Sequence, residues 1–149
     1  VEDLRRFTLA LAAVGQAARA VGIYWGDARA THPVEAFAKV AGETELTALM
    51  TLWSGVSIAT DRGDPERTSL LSLGMGQVGL PELELCVPRG MPLAESLEWV
   101  FDLLGYVAGR GQPLPEGDTV GRTAEQRLPV HYAPSPTEPA EQVWRVEIP

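Results

Sequence analysis

Residues 93–108, LAESLEWVFDLLGYVA, constrain this chain more than any other stretch, because they predict one helix with two occupied faces. Leu93, Leu97, Val100, Phe101, Leu104, Val107 and Ala108 recur at spacings of three and four and make the apolar stripe that a helix turns to a core. The reverse side carries Glu95 and Asp102 together with Trp99 and Tyr106. Two large aromatics on the wet side of a surface helix need something to cover them. The helix therefore predicts a core beneath Leu97, Phe101 and Leu104. It also predicts a docking face for a protein partner on Glu95, Trp99, Asp102 and Tyr106. A second copy of the chain on the same patch, or the chain's own C-terminal segment folded back over Trp99, are the alternatives.

Charge narrows the partner. The formal net charge is −8, and residues 76–149 carry −6 of it. Nucleic acid is disfavoured, since neutralising phosphates needs clustered Lys and Arg. An acidic half steers a basic protein partner, although acidity also serves solubility alone. No apolar run reaches the ~20 residues of a membrane span. Cys86 is the lone cysteine, so no internal disulfide forms, and a reducing, cytoplasmic setting is the expectation.

The remaining segments supply mixed elements. Leu4, Phe7, Leu11, Val14, Ala18 and Val21 predict a first helix that ends near Gly22, one that the chain enters without a leader and with residues expected upstream. A short strand at Ile23, Tyr24 and Trp25 follows. Thr31 or His32 then caps a helix with Pro33 in its first turn and Gly42 at its end. Residues 48–60 are rich in β-branched and aromatic types and read as one strand, with a bulge at Gly55. A turn at 61–65 leads to a strand at 69–73, and a glycine-rich loop fills 74–79. Leu83, Leu85 and Val87 alternate with Glu82, Glu84 and Cys86 in the next strand. After the two-faced helix come a loop at 111–126 with a Gly117-Asp118 turn and a strand at Leu128, Val130 and Tyr132. Residues 133–142 read as a proline-rich linker and 143–149 as a final strand, leaving 1–132 as the domain proper. The expectation is a single α+β domain, a mostly antiparallel sheet with two or three helices packed on it.

Several motifs have a chemical reading and a plainer one. Residues 74–79 spell GxGxxG, but a dinucleotide fingerprint needs a helix N-terminus directly after it. Pro81 and a strand follow instead, so the loop reads as a turn and no cofactor is expected. Glu82 and Glu84 share a strand face about 7 Å apart and could divide acid and base roles, or simply face water. His32 and His131 lie far apart with one cysteine elsewhere, which does not make a metal site. Ser54 beside Gly55 lacks a base and an orienting acid, so no catalytic residue is assigned. Tyr24 and Trp25, with Asp118 and Thr119 of the 117–121 loop, outline a candidate small-molecule pocket; strand aromatics are otherwise core.

Taken in order, the GIYWG run at 22–26, the strand ending Leu52-Trp53, GLPELEL at 79–85, the helix 93–108 and the GDTVG loop at 117–121 resemble a bacterial family known as domain of unknown function 4261. The resemblance covers residues 20–133. It implies a bacterial α+β protein and carries no activity or functional residue. The leading functional expectation is thus a non-enzymatic protein-binding module of the kind represented by toxin-neutralising immunity proteins, an analogy of size, charge and missing catalytic groups. A small-molecule-binding or regulatory domain is second, and a hydrolase third.

Overall fold

The computed structural model describes residues 1–123 and 125–149; Ala124, within the expected loop 111–126, lies outside them. Among the described residues, four α-helices and eight strands form an α+β domain. Strands β3 (Gly55–Thr60), β4 (Arg67–Leu73), β5 (Leu83–Pro88), β6 (Thr119–Val120), β7 (Leu128–Pro134) and β8 (Gln142–Glu147) make a six-stranded sheet in the order β3-β4-β5-β8-β7-β6. Every neighbour is antiparallel except the parallel pair β5 and β8. The hairpin β1 (Gly22–Trp25) and β2 (Ala30–Pro33) stands apart as a two-stranded sheet. No helix among the described residues is long and apolar enough to cross a membrane.

The helices are α1 (Glu2–Ala17), α2 (Val34–Ala41), α3 (Leu46–Trp53) and α4 (Leu93–Arg110). Helix α3 corrects the expected strand at 48–60. Leu46, Leu49, Met50 and Trp53 stand at i, i+3, i+4 and i+7, and Leu, Ala and Met favour helix. Gly55 is then the first residue of β3 rather than a bulge. Pro33 closes β2 and precedes α2 instead of opening the helix, with Thr31 and His32 in the strand. The expected linker at 133–142 holds the end of β7, a connecting turn and the first residue of β8.

One core lies between the helices and one sheet face. Leu70, Leu83, Leu85, Val87, Val130, Trp144 and Val146 point into it and meet Val100, Leu103, Leu104 and Val107 of α4. The register aligns these sheet residues: Leu83 pairs with Trp144, Leu85 with Val146, and Val130 with Val146. Each such Leu or Val is worth roughly 1.5–3 kcal/mol of burial. The second sheet face, carrying Ser69, Leu71, Glu84, Cys86 and Val143, is also buried. Pro136 and Thr137 of the β7–β8 turn lie over part of it. For that reason β5 is covered on both faces, where alternation predicted one wet side.

Two helices are turned relative to the stripes read from their apolar residues. In α1 the buried residues are Thr8, Ala12 and Gly15, while Phe7 and Val14 are exposed and Val21 lies beyond the helix. In α4 the buried set is Ser96, Trp99, Val100, Leu103, Leu104, Gly105, Val107 and Ala108, so Val100, Leu104, Val107 and Ala108 of the expected stripe are core; Leu93 is exposed, and Leu97 and Phe101 are half-buried. Small side chains explain both rotations. The Thr8 hydroxyl donates to Leu4 O at 2.7 Å and that of Ser96 to Pro92 O at 3.1 Å, so each goes inward already hydrogen-bonded. At Gly105 an added Cβ would stand 2.8 Å from the backbone nitrogen of Thr47. That glycine sets how closely α3 and α4 approach.

Candidate functional site

Helix α4 brings together residues expected to act separately. Its outward side presents Glu95, Glu98, Asp102 and Tyr106, and Tyr106 is 52% exposed. Trp99 shares that side but is not open: it is 5% exposed, which corrects its expected role as an open anchor. What covers it is partly Arg122, whose guanidinium carbon lies 4.4 Å from the ring centroid. The same guanidinium bonds Asp102 at 2.7 Å and reaches Glu98 at 4.0 Å. Arg110 bonds the Tyr106 hydroxyl at 3.2 Å one turn on.

Arg122 owes its position to a tight loop. A Cβ on Gly121 would sit 2.2 Å from Gln126 O, so only glycine allows the chain to turn there. The Arg122 amide donates to the Gln126 side chain at 2.9 Å. Between this loop and α4 opens a cleft of about 590 Å³ whose walls include Trp99, Asp102, Tyr106, Thr119, Arg122 and Arg127. On the other flank of α4, a shallow groove of about 610 Å³ runs against α3. Leu97, Phe101, Ala94 and Ala48 form its apolar floor, and its charged lining residues, Glu45, Glu98 and Asp102, are all acidic.

The expected pocket of Tyr24, Trp25, Asp118 and Thr119 is not assembled. Trp25 is buried against Phe37 at 5.9 Å and donates its indole N–H to Gln77 Oε1 at 2.9 Å. Tyr24 projects outward on the same hairpin. Asp118 is engaged by its own turn, accepting the Thr119 amide at 2.8 Å. Thr119 alone of the four lines the cleft, which takes Trp99 and Tyr106 as its aromatics.

The paired carboxylates have diverged into two structural tasks. Glu82 accepts the amides of Gly74 and Met75 at 2.8 and 2.9 Å and the Ser72 hydroxyl. The loop amides that a phosphate would need are thus taken by an internal anion. Glu84 faces the second side of the sheet. Its carboxylate accepts the Ser69 hydroxyl at 2.8 Å and Arg145 at 3.1 Å, and Arg145 also bonds Asp61 at 3.0 Å and Glu147 at 3.0 Å. The hydrogen bond from Arg145 holds the Asp61 carboxyl below its ordinary range, against the opposing effect of burial. Burial works against the charge of Arg145, but its carboxylate partners keep it firmly protonated. Asp61, Glu84 and Cys86 place donor atoms within 4.8 Å of one another, the spacing of a cation site. The guanidinium of Arg145 is the cation bound to the two carboxylates. The third group is a thiol that burial pushes up to about 12, so it stays protonated.

The other candidates hold structure in place. Ser54 is buried with its hydroxyl against the sulfurs of Met50 and Met75 at 3.8 and 3.6 Å. His131 Nδ1 meets Glu116 at 3.0 Å on the surface, and that hydrogen bond lowers the Glu116 carboxyl. His32 packs beside Phe37, 6.0 Å away. The sequence reading missed Arg122, Asp61 and Arg145. Arg145 alone left a signal, as a charge in a strand whose alternate residues Trp144 and Val146 are core.

Comparison with known proteins adds one match. Residues 71–147 fit the family model described as Domain of unknown function (DUF4261). The matched range takes in the C-terminal strand that the resemblance left out and begins after the 22–53 segments that it included. No curated protein and no solved structure matches the chain.

Proposed function

Because this chain belongs to the DUF4261 family, whose description carries no activity, we propose from its geometry that it is a non-enzymatic protein-binding module that docks a basic protein partner on the outer side of α4. The observation that carries this reading is the composition of that side. Three carboxylates, Glu95, Glu98 and Asp102, stand beside an exposed Tyr106 and an apolar groove floored by Leu97 and Phe101. Aromatic and apolar anchors supply most interface energy, while charge sets approach and register. Trp99 contributes by supporting the surface from beneath. A bacterial immunity protein that neutralises a toxin is the specific role we favour. A cytoplasmic setting is supported by Cys86, a free and buried thiol.

A small-molecule site in the cleft between α4 and the 119–127 segment is the second reading, favoured by the cleft's volume of about 590 Å³. The two part experimentally. The immobilised protein is exposed to a lysate of its source cells, and the retained protein is identified, purified and titrated against variants. For a docking face, Tyr106→Ala weakens the partner by at least ~2 kcal/mol, roughly thirtyfold. The melting temperature stays put, and raised salt slows association. Unchanged affinity in Tyr106→Ala and in Glu98→Gln with Asp102→Asn rejects the face. Sedimentation velocity identifies a homodimer, if that is what forms.

A further inference from the structure

We propose that Trp99, Asp102 and Glu98 form a receptor for the guanidinium of an arginine presented by a protein partner, and that Arg122 fills this receptor in the free protein as an internal substitute. The inference deepens the reading of α4 as a docking face and rests on it.

The receptor is visible because it is occupied. A guanidinium is a flat cation with donors in its plane, and it is best held by an aromatic face on one side and carboxylates at its edge. Arg122 is held in this way, 4.4 Å over the Trp99 ring with its nitrogens 2.7 Å from Asp102 and 4.0 Å from Glu98. One stretch of α4 supplies the whole pocket: Asp102 stands four residues after Glu98 and three after Trp99, so it neighbours both on the helix surface. Arg122 does not belong to that helix. It arrives on a surface loop, its side chain is 30% exposed, and a cleft opens beside it. A swing of the loop would therefore leave the aromatic face and Asp102 in place on the cleft wall, with Glu98 adjoining on the other flank of α4. Arg122 and Arg127 line the cleft beside Asp102, but once Arg122 leaves, Glu98 and Asp102 lose their shared cation, and the vacated Trp99 face draws a guanidinium rather than an anion. A lysine would keep the charge but lose the flat stack and the planar fork.

An internal occupant reduces apparent affinity by the fraction of time that the receptor stands open. Removing it must therefore tighten an external guanidinium. The test titrates argininamide, with lysinamide as control, and follows the Trp99 indole N–H by NMR, assigned with Trp99→Phe. In Arg122→Ala, argininamide should bind at least about tenfold more tightly than in the wild type and move the Trp99 resonance back toward its wild-type position. Adding Asp102→Asn to that background should abolish the gain. Lysinamide should bind several-fold more weakly. If Arg122→Ala melts early, Arg122→Gln, which lacks the charge and the flat stack, makes the same comparison. Equal affinity in wild type and variant, or binding that ignores Asp102→Asn, overturns the receptor. A dimer of Arg122→Ala that argininamide dissolves assigns the incoming arginine to a second copy and overturns a foreign partner. The two readings fail separately: the argininamide result concerns Trp99, Asp102 and Arg122, whereas an inert Tyr106→Ala rejects the docking face.

Discussion

At Arg145 one side chain decides whether the second face of the sheet can be buried. Asp61 and Glu84 each have side chains 3% exposed, and Arg145 bonds both. Removing one partner of such a group strands the other charges, at a cost of about 3–5 kcal/mol. Arg145→Met should lose that much in urea unfolding at pH 7, and the pH dependence should reverse. In the wild type the Asp61 carboxyl is depressed when folded, so its contribution is complete above the ordinary value of 3.8 and is lost as pH falls through the lower folded value. Without Arg145 the desolvation that raises the Asp61 carboxyl loses its main counterweight. The folded variant then binds protons more readily than the unfolded chain, and its deficit should shrink between pH 7 and pH 5. A deficit constant across that window would mean that water already solvates the cluster. The sequence predicted Glu84 as a wet carboxylate because alternation on β5 was read as one face buried. Nothing local to 81–88 signals that residues 136–137 and the Arg145 side chain lie over the other.

The helices show why apolar spacing locates an element better than it orients one. Of the predicted stripe, Val100, Leu104, Val107 and Ala108 do reach the core, but Leu97 and Phe101 stand half-buried at its margin, and Ser96, Trp99 and Leu103 beside them go in instead. Counting large apolar residues passes over Ser96 and Gly105, as it passes over Thr8 and Gly15 in α1. These are the residues that let backbones approach. Trp99 was legible as an aromatic needing a cover but not as one covered by Arg122, since the loop that delivers Arg122 is read from Gly121 meeting Gln126 in space. Two glycines of α4 turn this into a measurement. Gly→Ala in a helix gains up to ~1 kcal/mol from propensity. At Gly109 the nearest atom to an added Cβ is Leu46 Cδ1 at 3.6 Å, so Gly109→Ala should stabilise by about 0.5–1 kcal/mol. At Gly105 the same methyl would stand 2.5 Å from Thr47 Oγ1 and 2.8 Å from its backbone nitrogen, so α3 must move. Overpacking of that kind costs ~1–3 kcal/mol and outweighs the propensity gain, so Gly105→Ala should lower the urea midpoint. Equal stabilisation by both would place α3 farther from α4 than the structure does.

Over the whole molecule, the last strand made is the one in the middle. The α+β class and the hairpin β3–β4 were legible, because turn residues at 61–65 join two runs of strand-forming residues close in sequence. The strand order was not. The parallel pairing of Leu83 with Trp144 and Leu85 with Val146 closes a loop of about sixty residues, and no local pattern announces a partner that distant. A proline-rich stretch before a short alternating strand therefore read as a linker with an appendage. The structure gives β8 partners on both sides, β5 and β7, and the family match that runs to residue 147 includes it. The two placements predict different behaviour for a chain that stops after Glu141. An appended edge strand could be removed at the expense of a few exposed side chains, and unfolding would stay cooperative. A central strand takes Trp144, 1% exposed, and Val146, 0% exposed, out of the core and leaves the facing edges of β5 and β7 unpaired. Each lost large side chain costs ~2–5 kcal/mol, and domains of this size have only about 5–15 kcal/mol in hand. The shortened chain should show no cooperative urea transition by tryptophan fluorescence, and should aggregate through its open edges. A sharp transition in that chain would return β8 to the margin of the fold and detach the Arg145 cluster from its stability.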